Sequence, residues 1–285
     1  MNKLLSAGFS RLWKNKFFRL GMLLVPGFIA FILCEYHWEM TILRKTFPDY
    51  VYMMDFFLYN ACMYSGLFAS VFGALFLGAE YSDGTVRNKL AVGHSRTAVY
   101  LSSLTVCLAA SLLVYAAAVL ITLALGIPLF GLPETPPLVI LQRYCLALFP
   151  IVALCALFTL PAMLIANRPV SVVICTAGVI ALLFISMSVE DRLKAPETIS
   201  IKHHLTTADG ETVVTEELQP NPLYLTGTGR KALELFRDLL PTGMGLRLIK
   251  RLPPENPLQS CLGAVFVTAA STGGGILAFR KRNLK

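Results

Sequence analysis

The chain has 285 residues, 55% hydrophobic and 15% charged, with a mean hydropathy of +0.64, where a water-soluble domain would carry nearer ~25% charged residues. Lipid satisfies no backbone polar group, so its long apolar runs must be helices, and the ten-residue alternation of a membrane barrel strand is absent. The net charge of +8 does not point to nucleic acid, because the basic residues are distributed as membrane topology distributes them.

Residues 1–19 hold five basic and no acidic residues, interleaved with Leu4, Leu5, Phe9, Leu12, Trp13, Phe17 and Phe18. This reads as an amphipathic helix for the inner membrane surface. A signal peptide is the competing reading of the apolar run Leu20 to Cys34, but the basic region is long and no A-x-A site follows. The first span is then adequate if Arg19 snorkels, with Tyr36 and Trp38 as its outer aromatic belt.

After an acidic and aromatic loop, Phe56 to Ala79 is 24 residues without a formal charge, enough to cross a bilayer. Its small residues Ser65, Gly66, Ala69, Ser70, Gly73, Ala74 and Gly78 fall at four-residue spacing and read as a close-packing seam. Asn60 and Tyr64, one turn apart near the outer end, are the candidates for facing a pathway.

Between this run and the next, Ala98 to Gly126, lies the charged stretch GAEYSDGTVRNKLAVGHSRTAVYLSSL. Asp83 is placed to cap a helix start, Thr85 to Val92 give one or two amphipathic turns, Gly93 ends them and Ser95 caps the next helix. Such a helix across the mouth of two spans is a surface a soluble partner can push. The bland alternative is a polar loop whose basic residues sit against anionic headgroups.

The third span is expected to end at Gly126 and Pro128. The fourth, Tyr144 to Ala166, contains Pro150 and Pro161, which kink a helix or open its backbone ladder, and Val170 to Val189 makes the fifth. The hydrophilic segment 190–256 then falls outside. In it Ile199 to Thr206 and Thr212 to Leu218 flank the hairpin signal Asp209-Gly210. Thr228 is a candidate cap for a helix with Leu233, Phe236 and Leu240 on one face, and Thr242 for another; a lid over a pathway and ordinary connecting structure are both open readings. A sixth span, about Leu258 to Phe279, leads to the basic tail Arg280 to Lys285.

With six spans and the N-terminus inside, 13 of the 25 basic residues face the cytoplasm against two of the 17 acidic ones, Glu80 and Asp83. The expected division is thus an interfacial helix 1–19, five spans over 20–189 with a short helix at about 80–93, an external segment 190–256, and the last span with its tail over 257–285. The seven cysteines form no CxxC pair and read as packing residues. There is no Gly-Lys dipeptide and hence no phosphate-binding GxxxxGK[ST] loop, and HExxH and GxSxG are absent. His203-His204 sits on a predicted strand, where neighbours point to opposite faces and chelate poorly. No Asp, Glu, Lys, Arg or His lies in the middle of any span, although ion-driven carriers keep such groups there. Energy for uphill transport would have to come from a partner.

Glu80, Tyr81, Ser82, Gly84, Thr85, Arg87, Lys89 and Leu90, followed by Ser95, Arg96 and Tyr100, resemble the first cytoplasmic loop of type-2 ATP-binding-cassette permeases, and NPLYLTG and LPTG echo the same family more weakly. The resemblance implies an all-α, six-span exporter subunit of type V architecture, without its own ATPase site. Glu80, Tyr81, Asp83, Gly84, Thr85, Arg87, Lys89 and Leu90 would form the coupling helix docking on a separate ATPase subunit, which binds ATP and Mg, with the N-terminal helix as an elbow beside it. It further implies a second permease subunit and a bacterial plasma-membrane location with both termini cytoplasmic. The uncharged, aromatic-rich interior suggests an apolar or amphipathic substrate such as a peptide, lipid-like molecule or drug. The alternative is a non-transporting scaffold or immunity-type protein whose outer segment captures a ligand.

Overall fold

The computed structural model describes residues 1–206, 212–250 and 257–282, and the side chains of all of these except 202–206 and 212–215. Two helices come first, α1 over Asn2–Lys14 and α2 over Lys16–Leu43. Between them Asn15 is extended, and its side-chain oxygen accepts from the backbone N–H groups of Phe17 (2.9 Å) and Phe18 (3.1 Å). One residue therefore closes the interfacial helix and caps the first span. The interfacial helix accordingly stops at Lys14 rather than near residue 19, and Phe17, Phe18 and Arg19 belong to α2.

A single 3₁₀ turn over Met54–Phe56 leads to α3 (Asn60–Ser82), the short α4 (Thr85–Ala91) and α5 (Arg96–Phe130). There follow α6 (Pro137–Leu164) and α7 (Arg168–Lys194). The hydrophilic segment contributes strands β1 (Thr198–Thr206) and β2 (Thr212–Pro220), then α8 (Gly227–Leu239) and α9 (Pro241–Ile249), and α10 (Pro257–Lys281) closes the described chain. Six of these helical segments are long and apolar enough to cross a membrane, so this is an all-α multi-pass membrane protein in its main body.

Packing is centred on α3, which touches α2, α5, α6, α7 and α9. In α3, 67% of the apolar window is buried, against 22–28% for α2, α7 and α10. The reason is its seam: Ser65, Gly66, Ala69, Ser70, Gly73, Ala74 and Gly78 are all buried, and a Cβ added at Gly66 would stand 2.9 Å from Leu154. The small residues work as close-packing surface, as their spacing suggests. The peripheral helices instead present large apolar side chains outward, among them Leu23, Phe31, Val173, Phe184, Leu262 and Phe266, each at least 60% exposed. A face of that kind suits hydrocarbon, not water.

One expectation on a helix end is corrected. The third span continues through Pro128 to Phe130 and stops at Gly131, whose φ of +85° leaves the helical region. In α6, Pro150 and Pro161 are both accommodated inside one continuous helix.

The hydrophilic segment matches its sequence reading in the strands and departs from it in the helices. β1 and β2 pair antiparallel from Thr198 opposite Pro220 to Thr206 opposite Thr212; the Asp209-Gly210 turn and the side chains of His203 and His204 lie outside what is described. α8 begins at Gly227, after Thr226 and not at Thr228, and Gly227 enters it with a positive φ of 62°. Of the expected inward face, Leu240 is buried and Leu233 half-buried, but Phe236 is 45% exposed, and Arg237 and Asp238 are buried beside each other, Nε to Oδ1 3.2 Å. The tight corner into α9 explains this. A Cβ at Gly243 would stand 2.8 Å from the Arg237 carbonyl, and one at Gly263 of α10 2.5 Å from the Asp238 carbonyl, so the end of α8 is clamped between α9 and α10.

α9 itself is buried at every residue from Pro241 to Leu248 and packs against α3, α6 and α7. The Thr242 hydroxyl donates to the Leu182 carbonyl of α7 (3.1 Å) and shares a 2.6 Å hydrogen bond with Ser186. Leu182 lies about 20 Å along α7 from its Arg168 end, so this part of the hydrophilic segment is sunk between the spans rather than lying over them. Pro241, Gly245 and Leu246 leave against Pro150, Leu154 and Leu183 only a small internal void of about 20 Å³.

Candidate functional site

The charged stretch between the second and third spans is built from the end of α3, a left-handed turn and α4. Asp83 closes α3 rather than opening α4: its backbone N–H donates to Ala79, and its carboxylate caps no helix. The chain reverses at Gly84, φ +68°, a conformation that a Cβ would penalise. Gly93, φ +92°, ends α4 with its N–H on the Leu90 carbonyl while His94 N–H reaches Lys89, the reciprocal pattern of a glycine C-cap. Ser95 then accepts from Ala98 N–H (3.2 Å) to start α5.

Glu80 is the centre of the site. Only 1% exposed, it receives Lys89 Nζ on both carboxylate oxygens, at 2.8 and 2.9 Å, and Arg11 Nη1 at 3.0 Å. Arg11 comes from α1, Glu80 from α3 and Lys89 from α4, so one carboxylate joins three helices. Arg11 also lies over the Phe76 ring, 5.7 Å to its centroid, and reaches the Asp83 carboxylate at 3.4 Å. Beneath the ion pairs, Val86 is buried and Leu90 and Tyr81 pack with Leu4 and Leu12 of α1 into the main core. α4 is therefore fastened by charge on one side and by apolar contact on the other. Thr85 is the first residue of α4 and partly covered, Arg87, Asn88 and Ala91 are exposed, and Val92 is 79% exposed.

A second knot lies beside it. Tyr81 donates its hydroxyl to the Met163 carbonyl at the end of α6, and Arg282 donates to the same carbonyl (2.9 Å) and to the Tyr81 oxygen (3.2 Å) with its guanidinium over the Tyr81 ring. Arg96 of α5 donates to the carbonyls of Phe279 (3.1 Å), Arg280 (3.2 Å) and Arg282. Those are carbonyls left without an intrahelical partner at the end of α10, and a cation there also complements the helix dipole. Arg168 at the start of α7 crosses Gly78, where a Cβ would stand 2.7 Å from its Cγ. The ends of α1, α3, α4, α5, α6, α7 and α10 are thus held in one plate.

Of the residues singled out in the sequence, Glu80 and Lys89 meet and Asp83 joins them only through Arg11, Tyr81 and Leu90 pack into the core beneath, and Gly84, Thr85 and Arg87 form the turn and outer face. Their partners Arg11 and Arg282 were not singled out, and Arg96 entered only as part of the family resemblance. One signal existed: with only two acidic residues among so many basic ones at this end, a carboxylate has to be shared. Asn60 and Tyr64 are not brought to a common cavity. Asn60 sits in a wedge against Ile29, Leu33 and Phe57 with no room for water, while Tyr64 faces a groove of about 360 Å³ between α2 and α3, its ring 5.1 Å from Phe28. At the opposite end of the molecule Asp55 is buried and accepts from the backbone of Glu134 (2.9 Å) and Thr135 (3.1 Å) and from the Thr135 hydroxyl, a structural clasp for the loop before α6.

Among the described residues no three His, Cys, Asp or Glu side chains are grouped to hold a metal ion. The plate carries a short exposed helix, α4, in contact with α3 and α5 and tied to α1 through the Glu80 ion pairs. No family model, no curated protein and no solved structure matches this chain.

Proposed function

We propose that this protein is the membrane-spanning permease subunit of an ATP-driven exporter, coupled through α4 to a separate ATPase that binds ATP and Mg. The observation that carries the reading is Glu80. Its two ion pairs bind α4 to α1 and to the base of the most buried span, so a push on the exposed surface of Arg87, Asn88 and Val92 is transmitted to packed helices instead of being absorbed by a loose loop. Interfaces of packed helices switch between discrete arrangements, which is what alternating access requires. The apolar spans support an apolar or amphipathic substrate, and the plate at the end of the bundle is a surface for one ATPase per subunit in a paired assembly.

The test is capture. A photo-crosslinking residue at Val92, which is exposed and outside both knots, is introduced into the chain in its native membrane, and adducts are identified by mass spectrometry. Lys89 is unsuitable for this purpose because Glu80 holds its amine. A stoichiometric ATPase carrying a GxxxxGK[ST] loop is the expected adduct, and a chain that crosslinks only to lipid overturns the proposal.

A further inference from the structure

We propose that the groove between α2 and α3 is a binding site for one anionic phospholipid, its chain in the groove and its phosphate against the basic residues at the α1–α2 corner. The inference rests on the membrane-spanning architecture and is independent of the exporter reading.

The groove holds about 360 Å³, with Phe17, Leu20, Leu24 and Phe28 along one wall and Phe68 and Phe72 along the other. Those α2 residues recur every three or four positions and form one stripe of the helix. From Phe17 to Phe28 the stripe runs about 17 Å, close to the ~15 Å depth of one leaflet's hydrocarbon. Its floor is stiff: Phe68 and Phe72 stack at 5.0 Å between centroids, Phe72 and Phe76 at 5.4 Å, and α2 approaches so closely at Gly21 that a Cβ would stand 2.1 Å from Phe68. The groove is open on the lipid side, where Leu20 and Leu24 are about half exposed.

Charge selects the occupant. Lys16 lies one turn below Leu20 on the same stripe and is exposed, as are Lys14 and Arg19. Arg19 Nε donates to the Trp13 carbonyl (2.9 Å), which holds its guanidinium at the corner. Arg168 sits 4.9 Å from the centroid of Phe17, the lowest ring of the groove. No acidic side chain lines the groove, and at the α3–α4 corner Glu80 is paired with Arg11 and Lys89 and Asp83 with Arg11. Trp13, 58% exposed, stands at the same corner, where an interfacial indole anchors at headgroup level. An apolar slot one leaflet deep beneath Lys14, Lys16, Arg19 and Arg168, none of them ion-paired with a carboxylate among the described residues, fits an acyl chain bearing a phosphate with net negative charge.

The full-length chain is extracted from vesicles of equal phosphatidylglycerol and phosphatidylcholine with identical acyl chains, and retained lipid is counted by native mass spectrometry. One phosphatidylglycerol per chain is expected. At about one interaction increment per basic residue, K16Q/R19Q should lower its retention roughly thirtyfold relative to phosphatidylcholine. L24W, at a half-exposed position that can take bulk without disturbing the core, should displace it. Equal retention of the two lipids, retention unchanged in K16Q/R19Q, phosphatidylglycerol held by L24W as by the unaltered chain, or a second copy of the chain that departs in L24W without lipid loss would each overturn the proposal. A second readout keeps both walls and cations intact: in W38F, which leaves Trp13 as the only tryptophan, brominated phosphatidylglycerol should quench fluorescence more strongly than brominated phosphatidylcholine, and equal quenching is the contrary result.

Discussion

Replacing Glu80 by Gln tests the central joint, because it removes a charge while keeping the size of the side chain. At 2.8 and 3.0 Å each ion pair is worth about 5–6 kcal/mol at an effective dielectric of ~20, most of it offset by the cost of taking the ions out of water. Removing one member of a fully buried pair typically costs about 3–5 kcal/mol. Here Glu80 is enclosed, but the Arg11 and Lys89 side chains are 29% and 13% exposed, so water relieves the orphaned cations and the expected loss is about 2–3 kcal/mol. In detergent that corresponds to a melting temperature lower by about 4–10 °C. Arg11→Gln should cost less, about 1 kcal/mol, since Lys89 still holds both oxygens of Glu80. Because Arg11 and Glu80 act as one unit, the double variant should be no worse than E80Q alone. Hydrogen exchange across residues 85–92 should speed up in E80Q and leave the seam of α3 unchanged. An E80Q protein that melts within about 1 °C of the unaltered chain, or losses for R11Q and E80Q that simply add, would refute the account of a shared buried carboxylate.

Other predictions concern the same helices and their ends. On α10, Gly263→Ala must push into the Asp238 carbonyl and should destabilise by about 1–3 kcal/mol, whereas Gly273→Ala meets no atom within 4 Å and should stabilise by up to about 1 kcal/mol; thermal melts of the two variants give opposite signs. Gly84→Ala also meets no neighbouring atom, so its cost of roughly 1–2 kcal/mol is backbone alone, and it should weaken crosslinking from Val92 by misdirecting α4. Asp55→Asn should lose about 1–3 kcal/mol and expose the 131–136 loop to protease, because two backbone N–H groups lose a charged acceptor.

The number and order of spans were legible because a long apolar run without charge has one stable solution in lipid. The caps at Ser95 and Gly93 were legible for a local reason: a hydroxyl three residues from an N–H and a residue without a Cβ act within one turn. Asp83 misled by the same logic, since an acidic residue before a helix is a good cap only if the chain enters the helix there, and Gly84 placed the turn one residue later. The partners of Arg11, Arg96 and Arg282 were hidden because each lies across the fold, 69 residues away for Arg11 and Glu80 and more than 180 for Arg96 and the end of α10.

The amino-acid sequence by itself determined the six apolar helices, the small-residue seam of α3 and the strand pair of the hydrophilic segment, because each follows from composition or from a period of two, three or four residues. Only the tertiary structure decided which faces are buried. In water an apolar stripe declares the inner side of a helix, but lipid is as apolar as a neighbouring helix, so α2, α7 and α10 carry no such mark. For that reason α9, drawn from the most polar part of the chain, ends up enclosed among α3, α6 and α7 while Leu23 and Phe184 face outward. The joint at Glu80 follows the same rule: its residue types were visible, and its geometry exists only where three helix ends converge.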